Sequence, residues 1–158
     1  MTHAPLRNDT ALLADIRAAI AAAPDSQTAM TDTVALLKDR LPHYTWAGIY
    51  LIAGDELVLG PFLGKPSPHT RIPIGQGICG AAASEQATII VDDVNSDPRY
   101  LACSIETRSE IVVPIIDGRD GTRVLGELDI DSDQPAAFGD ADRALLEAVA
   151  AALAPVLA

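Results

Sequence analysis

The sequence contains two cysteines, Cys79 and Cys103, and each lies in a setting that could support thiolate chemistry. Cys103 lies in a polar segment, 99–108, that leads into an apolar strand with the carboxylate Glu110 at its start. A thiol near ionisable groups at the mouth of a buried strand can act as a nucleophile. The alternative is that Cys103 is a small apolar residue buried under a loop, as many free cysteines are.

Cys79 lies in the segment GQGICG, which precedes an alanine-rich segment typical of a short helix. At a helix entrance the backbone dipole would stabilise a thiolate, so we expect an ionisable thiol there. The same segment matches Gly-x-Gly-x-x-Gly, but a dinucleotide site needs this pattern after the first strand of a parallel unit. Here it follows several predicted strands, which excludes that site. Neither cysteine has a metal-ligand spacing, so we predict no metal.

Three acids accompany the cysteines. Glu110 starts one predicted strand, 110–116, and Asp129 and Asp131 lie at the end of the next one, 124–130. Side chains alternate along a strand, so the two aspartates share a face. If 117–121 is a hairpin turn, antiparallel pairing brings all three acids together. Such a cluster could bind an ammonium group or hold a proton for donation, unless the aspartates are solvated residues at a strand end.

Two aromatic residues, Trp46 and Tyr50, are four positions apart on a predicted strand and therefore share a face. They could form the wall of a pocket for an apolar group or a sulfur atom. Packing in the core is the commoner role of such residues, and the sequence leaves both roles open.

Hydrophobic periodicity and turn residues define the elements that must position these side chains. We predict helices at 10–22, capped by Asn8 or Asp9, at 26–41, capped by Ser26, and from Asp140 onwards, capped by that residue. Strands are predicted at 44–52, 56–62, 70–74, 88–92, 110–116 and 124–130, with a short helix after Gly80. Strands at hairpin spacing predict an α+β fold with a central antiparallel sheet flanked by helices. The 158 residues form one predicted domain, and residues 1–9 form a flexible tail.

The formal net charge of −11 argues against nucleic acid and against an anionic membrane surface as partners. No apolar run is long enough to span a membrane, and the N-terminus lacks the features of a signal peptide. We therefore expect a cytoplasmic protein whose cysteines are free thiols or a redox pair.

Five segments of the chain resemble one family: WAGIYL, LVLGPFLGK, TRIPIGQGICGAAA, LACSIETRSEIVVP and LGELDIDS. Together, from about residue 10 to about residue 153, they are similar to the free methionine-R-sulfoxide reductases, small members of the GAF-domain superfamily. The resemblance implies a GAF fold and a homodimer. It implies no bound cofactor, and a thioredoxin or another thiol as the external reductant.

The resemblance also implies a role for each site residue. Cys103 matches the catalytic cysteine of the family, whose thiolate attacks the sulfoxide sulfur, and Cys79 matches a second cysteine of the family. The matching residues that hold or enclose the substrate are Glu110, Asp129, Asp131, Trp46 and Tyr50. The implied products are methionine and a cysteine sulfenic acid.

The chain departs from the family pattern at several positions. A third cysteine usually precedes the TRIP segment, whereas this chain has Ser67-Pro68-His69 there. The thiol that resolves the sulfenic acid could then be Cys79 or an external thiol. Glu127 stands where an apolar residue is usual, and by alternation it shares a face with Asp129. The missing cysteine also raises an alternative function, a ligand-binding or redox-sensing GAF module without turnover.

Overall fold

The structure, a computed structural model, describes residues 7–101 and 105–158. In these ranges the chain forms four α-helices: α1 (Asp9–Ala22), α2 (Ser26–Arg40), α3 (Gly77–Glu85) and α4 (Asp140–Leu157). The strands are β1 (Trp46–Ala53), β2 (Glu56–Leu63), β3 (Arg71–Pro73), β4 (Ile89–Val91), β5 (Ser109–Ile116) and β6 (Val124–Ser132). None of the helices described is both long and apolar enough to cross a membrane.

The six strands form one sheet in the order β3-β2-β1-β6-β5-β4, and every neighbouring pair is antiparallel. The turn at Gly54-Asp55 joins β1 to β2, and residues 117–123 join β5 to β6. The predicted α+β fold with a central antiparallel sheet is therefore confirmed. β6 lies at the centre of the sheet, with β1 on one side and β5 on the other.

The two faces of the sheet are covered unequally. Helices α1, α2 and α4 pack on one face, where they bury most of the apolar side chains of the protein, among them Leu12, Ile16, Leu37, Ile49, Ile111, Leu128, Ile130, Leu146 and Leu153. The other face is covered by the short helix α3 and carries a smaller apolar cluster that includes Trp46, Tyr50 and Cys79. Side chains alternate along β6, so Leu128 and Ile130 lie in the large core. Glu127, Asp129 and Asp131 lie on the α3 face.

The short helix α3 begins at Gly77, whereas we predicted it after Gly80, and two of the three predicted helix caps also differ. Asn8 caps α1 as expected, because its side chain accepts a hydrogen bond from the backbone N–H of Ala11. Helix α2 is capped by Asp25, not by Ser26, since Asp25 is extended and its carboxylate accepts from Thr28 N at 2.7 Å. Helix α4 begins at Asp140, so the predicted cap is its first residue.

Asp142 anchors the start of α4 instead. Its carboxylate accepts hydrogen bonds from the backbone N–H of Gly139 at 3.0 Å, the hydroxyl of Tyr44 at 2.6 Å and the guanidinium of Arg7 at 2.7 Å. Burial alone would raise the pKa of Asp142, but these bonds outweigh it and lower the pKa. Residues 7–9 are thus held in place, although we expected them in a flexible tail; residues 1–6 lie outside the described ranges.

One glycine is required by the close approach of β1 to β6. A Cβ at Gly126 would collide with the carbonyl oxygen of Tyr50. Because a central strand cannot shift without loss of its hydrogen bonds, we expect Gly126→Ala to destabilise the fold by about 1–3 kcal/mol. Urea unfolding curves of the wild type and the variant, compared at equal m-value, give this difference in the free energy of unfolding. Gly121→Ala is the matched control, since nothing lies within 4 Å of that position, and an equal loss there would contradict the explanation.

Candidate active site

The α3 face of the sheet carries a row of carboxyl groups where a second apolar core would be expected. Glu127, Asp129 and Asp131 occupy alternate positions of β6 and share this face. On β5, Glu110 is directly opposite Asp131 in the antiparallel register. All four side chains are buried, with exposed fractions between 0% and 4%. The aspartates are therefore not solvated residues at a strand end, and the predicted meeting of Glu110 with both of them is confirmed.

The register of β1 places the aromatic residues beside the same acids. Trp46 is opposite Asp131 and Tyr50 is opposite Glu127, with Gly48 between them opposite Asp129. A Cβ at Gly48 would collide with the indole ring of Trp46, so this glycine lets the ring lie along the strand. Trp46 stacks on Phe62 with ring centroids 5.6 Å apart. Its indole N–H donates to the carbonyl of Lys65 at 2.9 Å.

Tyr50 is nearly fully buried, and its hydroxyl donates to the backbone carbonyl of His69 at 2.8 Å. Trp46 and Tyr50 thus pack in the smaller apolar cluster and also line the two cavities described below. Packing in the core is therefore confirmed for both residues, and their part in binding an apolar group or a sulfur atom stays a prediction.

The thiol of Cys79 is buried against the acids. Cys79 is the third residue of α3, and its Sγ donates to Asp129 Oδ2 at 3.3 Å. Burial raises its pKa well above the ordinary value, and the neighbouring carboxyl groups of Asp129, Glu127 and Glu110 raise it further. Our expectation of a thiolate stabilised by the helix dipole was wrong, because desolvation and like charge oppose ionisation more strongly than the start of a short helix favours it.

The acids also favour their protonated forms. Burial raises the pKa of Glu110, Asp131 and Asp129, and repulsion by Asp129 adds to the increase for Glu110 and Asp131. For Asp129 the hydrogen bonds from Glu110 and Cys79 act in the opposite direction and lower its pKa. Within this coupled group the hydrogen bonds from Glu110 and Cys79 favour the charged form of Asp129, whereas burial and repulsion by Asp129 oppose the ionisation of Glu110 and Asp131.

Glu127 is the most isolated of the four acids. Its side chain is completely buried, and among the described residues neither of its carboxyl oxygens has a hydrogen-bond partner of ordinary geometry. Burial, and then repulsion by Asp129, raise its pKa well above the ordinary value. The departure from the family pattern that the sequence showed at this position therefore adds a fourth acid to the cluster, as alternation predicted.

Two cavities open along this face. The larger cavity, of about 170 Å³, is lined by Thr45, Trp46, Lys65, Glu106, Thr107, Asp131 and Asp133. The smaller cavity, of about 10 Å³, has room for about one water molecule. It is lined by Tyr50, His69, Ile72, Gly77, Ile78, Cys79, Leu101, Glu110 and Asp129. The acid cluster lies between the cavities, with Asp131 in the wall of one and Glu110 and Asp129 in the wall of the other.

Cys103 lies outside the described residues. The residues that flank it are informative all the same: Leu101 lines the smaller cavity and Glu106 lines the larger one. Five lining residues of the larger cavity were missed by sequence reasoning, namely Thr45, Lys65, Glu106, Thr107 and Asp133. Lys65 follows a glycine at the end of β2, and no periodicity marks it as a site residue.

A metal ion could be held, in principle, by one group of the described side chains. Ligand atoms of Cys79, Glu110 and Asp129 lie within 4.8 Å of one another. The thiol and at least one of the carboxyl groups would first have to lose a proton, against pKa values that burial has raised. The absence of a metal therefore stays a prediction.

The comparisons with known proteins agree with the geometry. A family model described as GAF domain matches residues 25–157. The chain is 38% identical over 144 residues to the free methionine-R-sulfoxide reductase of Escherichia coli (strain K12), which covers 91% of this chain and 85% of that protein.

Solved structures extend the likeness to the backbone. An X-ray structure of free methionine-R-sulfoxide reductase from Neisseria meningitidis, in complex with its substrate, matches with a TM-score of 0.89 and 36% identity, covering 99% of this chain and 95% of that chain. The reduced form of the Staphylococcus aureus enzyme fRMsr matches with a TM-score of 0.89 and 37% identity over 100% of both chains. The chain therefore belongs to the GAF-domain family and, within it, to the free methionine-R-sulfoxide reductases.

Proposed function

We propose that this protein reduces free methionine-R-sulfoxide to methionine. The observation that carries the proposal is the cluster of Glu110, Asp129 and Asp131, which is buried, favours its protonated forms and lies beside an aromatic-walled cavity. Reduction of a sulfoxide requires a proton for the departing oxygen, and a carboxyl group with a raised pKa can supply one at neutral pH. Relatives that align over most of the chain carry this name.

The first half-reaction uses the Cys103 thiol as the nucleophile. The thiolate attacks the sulfoxide sulfur, the acid cluster protonates the sulfoxide oxygen, and the oxygen ends on the cysteine sulfur. The products are methionine and the Cys103 sulfenic acid, so that the cysteine sulfur is oxidised by two electrons and the substrate sulfur is reduced by two. Trp46 and Tyr50 supply the apolar wall for the carbon atoms next to the sulfur of the substrate.

The second half-reaction restores the thiol. An external thiol of a thioredoxin-like protein, or a small thiol, condenses with the sulfenic acid to a mixed disulfide and water. A second thiol then reopens the disulfide. Cys79 is a poor candidate for the resolving role, because its thiol is buried, bonded to Asp129 and held in the protonated form. This chemistry needs free thiols, which supports our proposal of a reducing, cytoplasmic location; the homodimer is proposed on the family resemblance alone.

Removal of the nucleophile should abolish turnover. We expect Cys103→Ser to lower the rate of methionine formation by at least about a thousandfold, because a hydroxyl is far less nucleophilic towards sulfur than a thiolate. Amino-acid analysis after incubation with sulfoxide and dithiothreitol, or with thioredoxin, measures the rate. An unchanged rate would contradict the role of Cys103. Binding of the sulfoxide by the wild type without any product would favour a sensing module instead.

A thiol count distinguishes the two recycling routes. The chain has only two cysteines, so one equivalent of methionine-R-sulfoxide, added without reductant, removes either one titratable thiol or both. We expect the loss of one thiol, with a sulfenic acid that reacts with dimedone, and recovery on addition of an external thiol. Loss of both thiols would mean a disulfide between Cys79 and Cys103. That disulfide would not form in Cys79→Ser, which provides the control.

The protonated state of the cluster makes stability depend on pH. The pKa of Glu127 is raised in the folded chain, so above its ordinary pKa the unfolded chain binds fewer protons than the folded one, and stability falls as the pH rises. A glutamine at position 127 cannot ionise, so the variant lacks this pH-dependent contribution to the free energy of unfolding.

We therefore expect Glu127→Gln to be more stable than the wild type at about pH 8, with a difference that disappears below about pH 4. Urea unfolding at several pH values measures it. Glu85→Gln, whose side chain is 59% exposed, is the control for the same substitution at the surface. A difference for Glu127→Gln that does not vary with pH would mean that the pKa of Glu127 is the same in the folded and unfolded chains, and would contradict the raised pKa.

A further inference from the structure

His69 lies in the segment that joins β2 to β3, where the chain lacks the third cysteine of the family pattern. Hydrogen bonds hold its backbone on both sides. Its carbonyl accepts a hydrogen bond from the hydroxyl of Tyr50 at 2.8 Å, and its N–H donates to the hydroxyl of Ser67 at 3.1 Å. The carbonyl of Thr70 accepts the N–H of Leu59 at 2.9 Å, which joins the next residue to the sheet. The histidine is half-buried and held at a fixed place on the sheet.

The histidine lines the smaller cavity together with the acids. The wall of this cavity includes Glu110 and Asp129 of the acid cluster, and Leu101 of the segment that leads to Cys103. Cys103 follows Leu101 by two residues, so the covalent chain limits the distance between their Cα atoms to about 7 Å. The nucleophile of the proposed reaction therefore belongs to a segment that meets the same cavity as His69.

The acids around this cavity oppose the ionisation of a thiol. Cys79 shows the effect, since burial and then the neighbouring carboxyl groups raise its pKa well above the ordinary value. A nucleophilic thiol must nevertheless lose its proton before it attacks a sulfoxide, because the thiolate is the reactive form. Beside these acids, a thiolate needs a positive charge close to it. Among the described residues that line the cavity, His69 is the one whose side chain can carry a positive charge.

The nearest cations along the chain are paired with other acids. Arg71 Nη1 lies 3.7 Å from Glu56 Oε1, and the side chain of the arginine is 63% exposed. Arg99 Nη2 lies 2.8 Å from Asp97 Oδ2. Neither arginine lines the cavity. The titratable groups that share the cavity with His69 are Tyr50 of β1, Cys79 of α3, Glu110 of β5 and Asp129 of β6.

We propose that His69 is the base that takes the proton of the nucleophilic thiol of Cys103, and that the resulting imidazolium stabilises the thiolate. The inference rests on the proposed function for the identity of the nucleophile. The proton passes from the Cys103 sulfur to a ring nitrogen of His69, and the thiolate attacks the sulfoxide sulfur.

The protons of this step balance within the site. A carboxyl group of the acid cluster gives its proton to the sulfoxide oxygen, which ends on the cysteine sulfur as the hydroxyl of the sulfenic acid. The imidazolium of His69 then returns its proton to the acid cluster. The base and the acids therefore have opposite tasks at the same sulfur: the base makes the nucleophile, and the acids protonate the departing oxygen.

The reactivity of Cys103 towards iodoacetamide tests this pair without any turnover. Tryptic cleavage places Cys79 and Cys103 in separate peptides, residues 72–99 and 100–108, so mass spectrometry follows each thiol by itself. Because only the thiolate is alkylated, the rate for Cys103 between about pH 5 and about pH 10 gives the midpoint of its ionisation.

In the wild type we expect this midpoint below the ordinary thiol value of about 8.5. His69→Gln should raise the midpoint by at least about one pH unit and slow the alkylation of Cys103 at pH 7 about tenfold, because glutamine can neither take the proton nor carry a charge. The rates at high pH should be equal. His43→Gln, which removes a histidine beside Asp142 at the start of α4, should behave as the wild type.

Equal midpoints for Cys103 in the wild type and in His69→Gln would overturn the assignment. Cys79 monitors the fold in the same samples, because its thiol is buried and should stay unlabelled. If Cys79 of His69→Gln is labelled, the site of the variant has opened, and the wild type alone decides. A wild-type midpoint at or above about 8.5 then overturns the assignment, and a lower one supports it.

Turnover separates failure of this inference from failure of the proposed function. A wild type whose Cys103 depends on His69 for its reactivity but which reduces no sulfoxide would refute the enzyme and keep the pair. A wild type that reduces the sulfoxide, while His69→Gln shows an unchanged midpoint and an unchanged rate of methionine formation, would keep the enzyme and refute the pair.

Discussion

Four buried carboxyl groups that lie side by side are the constraint around which this structure is arranged. An isolated buried carboxylate is costly, so a folded chain that holds Glu110, Glu127, Asp129 and Asp131 together must keep most of them protonated or paired. Strand register places the acids next to one another, so that they can pair. The small helix α3 covers them, and this burial favours their protonated forms. The burial that makes these acids costly for folding also raises their pKa values and so favours the forms that carry a proton.

The division of the sheet into two faces makes this possible. Three helices and most of the apolar side chains are on one face, so stability rests chiefly on the packing there. Polar groups and cavities on the α3 face therefore reduce the stability of the whole fold less than they would in the large core. The acids of the site and the apolar residues of the large core belong to the same sheet. Along β6 they occupy alternate positions, so the two groups lie on opposite faces.

The parts of the site that follow from period and register could be predicted from the sequence. Alternation gave the shared face of Asp129 and Asp131, and the hairpin turn gave their meeting with Glu110. The ionisation of Cys79 could not be predicted, because it depends on burial against acids from distant strands. Two helix caps were misplaced by one residue, since neighbouring Asp, Ser and Gly residues offer equivalent local signals. Lys65 was missed because its position depends on the backbone at Gly64, which passes over the indole of Trp46. That is a tertiary contact, which local sequence patterns do not show.

The short connection between β5 and β6 has a kinetic consequence. Glu110 and the three acids of β6 belong to one hairpin, so they come together through a contact between near neighbours along the chain, with a small loss of loop entropy. The aromatic wall joins them only when β1 pairs with β6, which brings together residues separated by about half of the chain, such as Trp46 and Asp131. In the order of events during folding, we infer that the acids meet while still hydrated, and that closure of the N-terminal half over the hairpin is the step that removes their water.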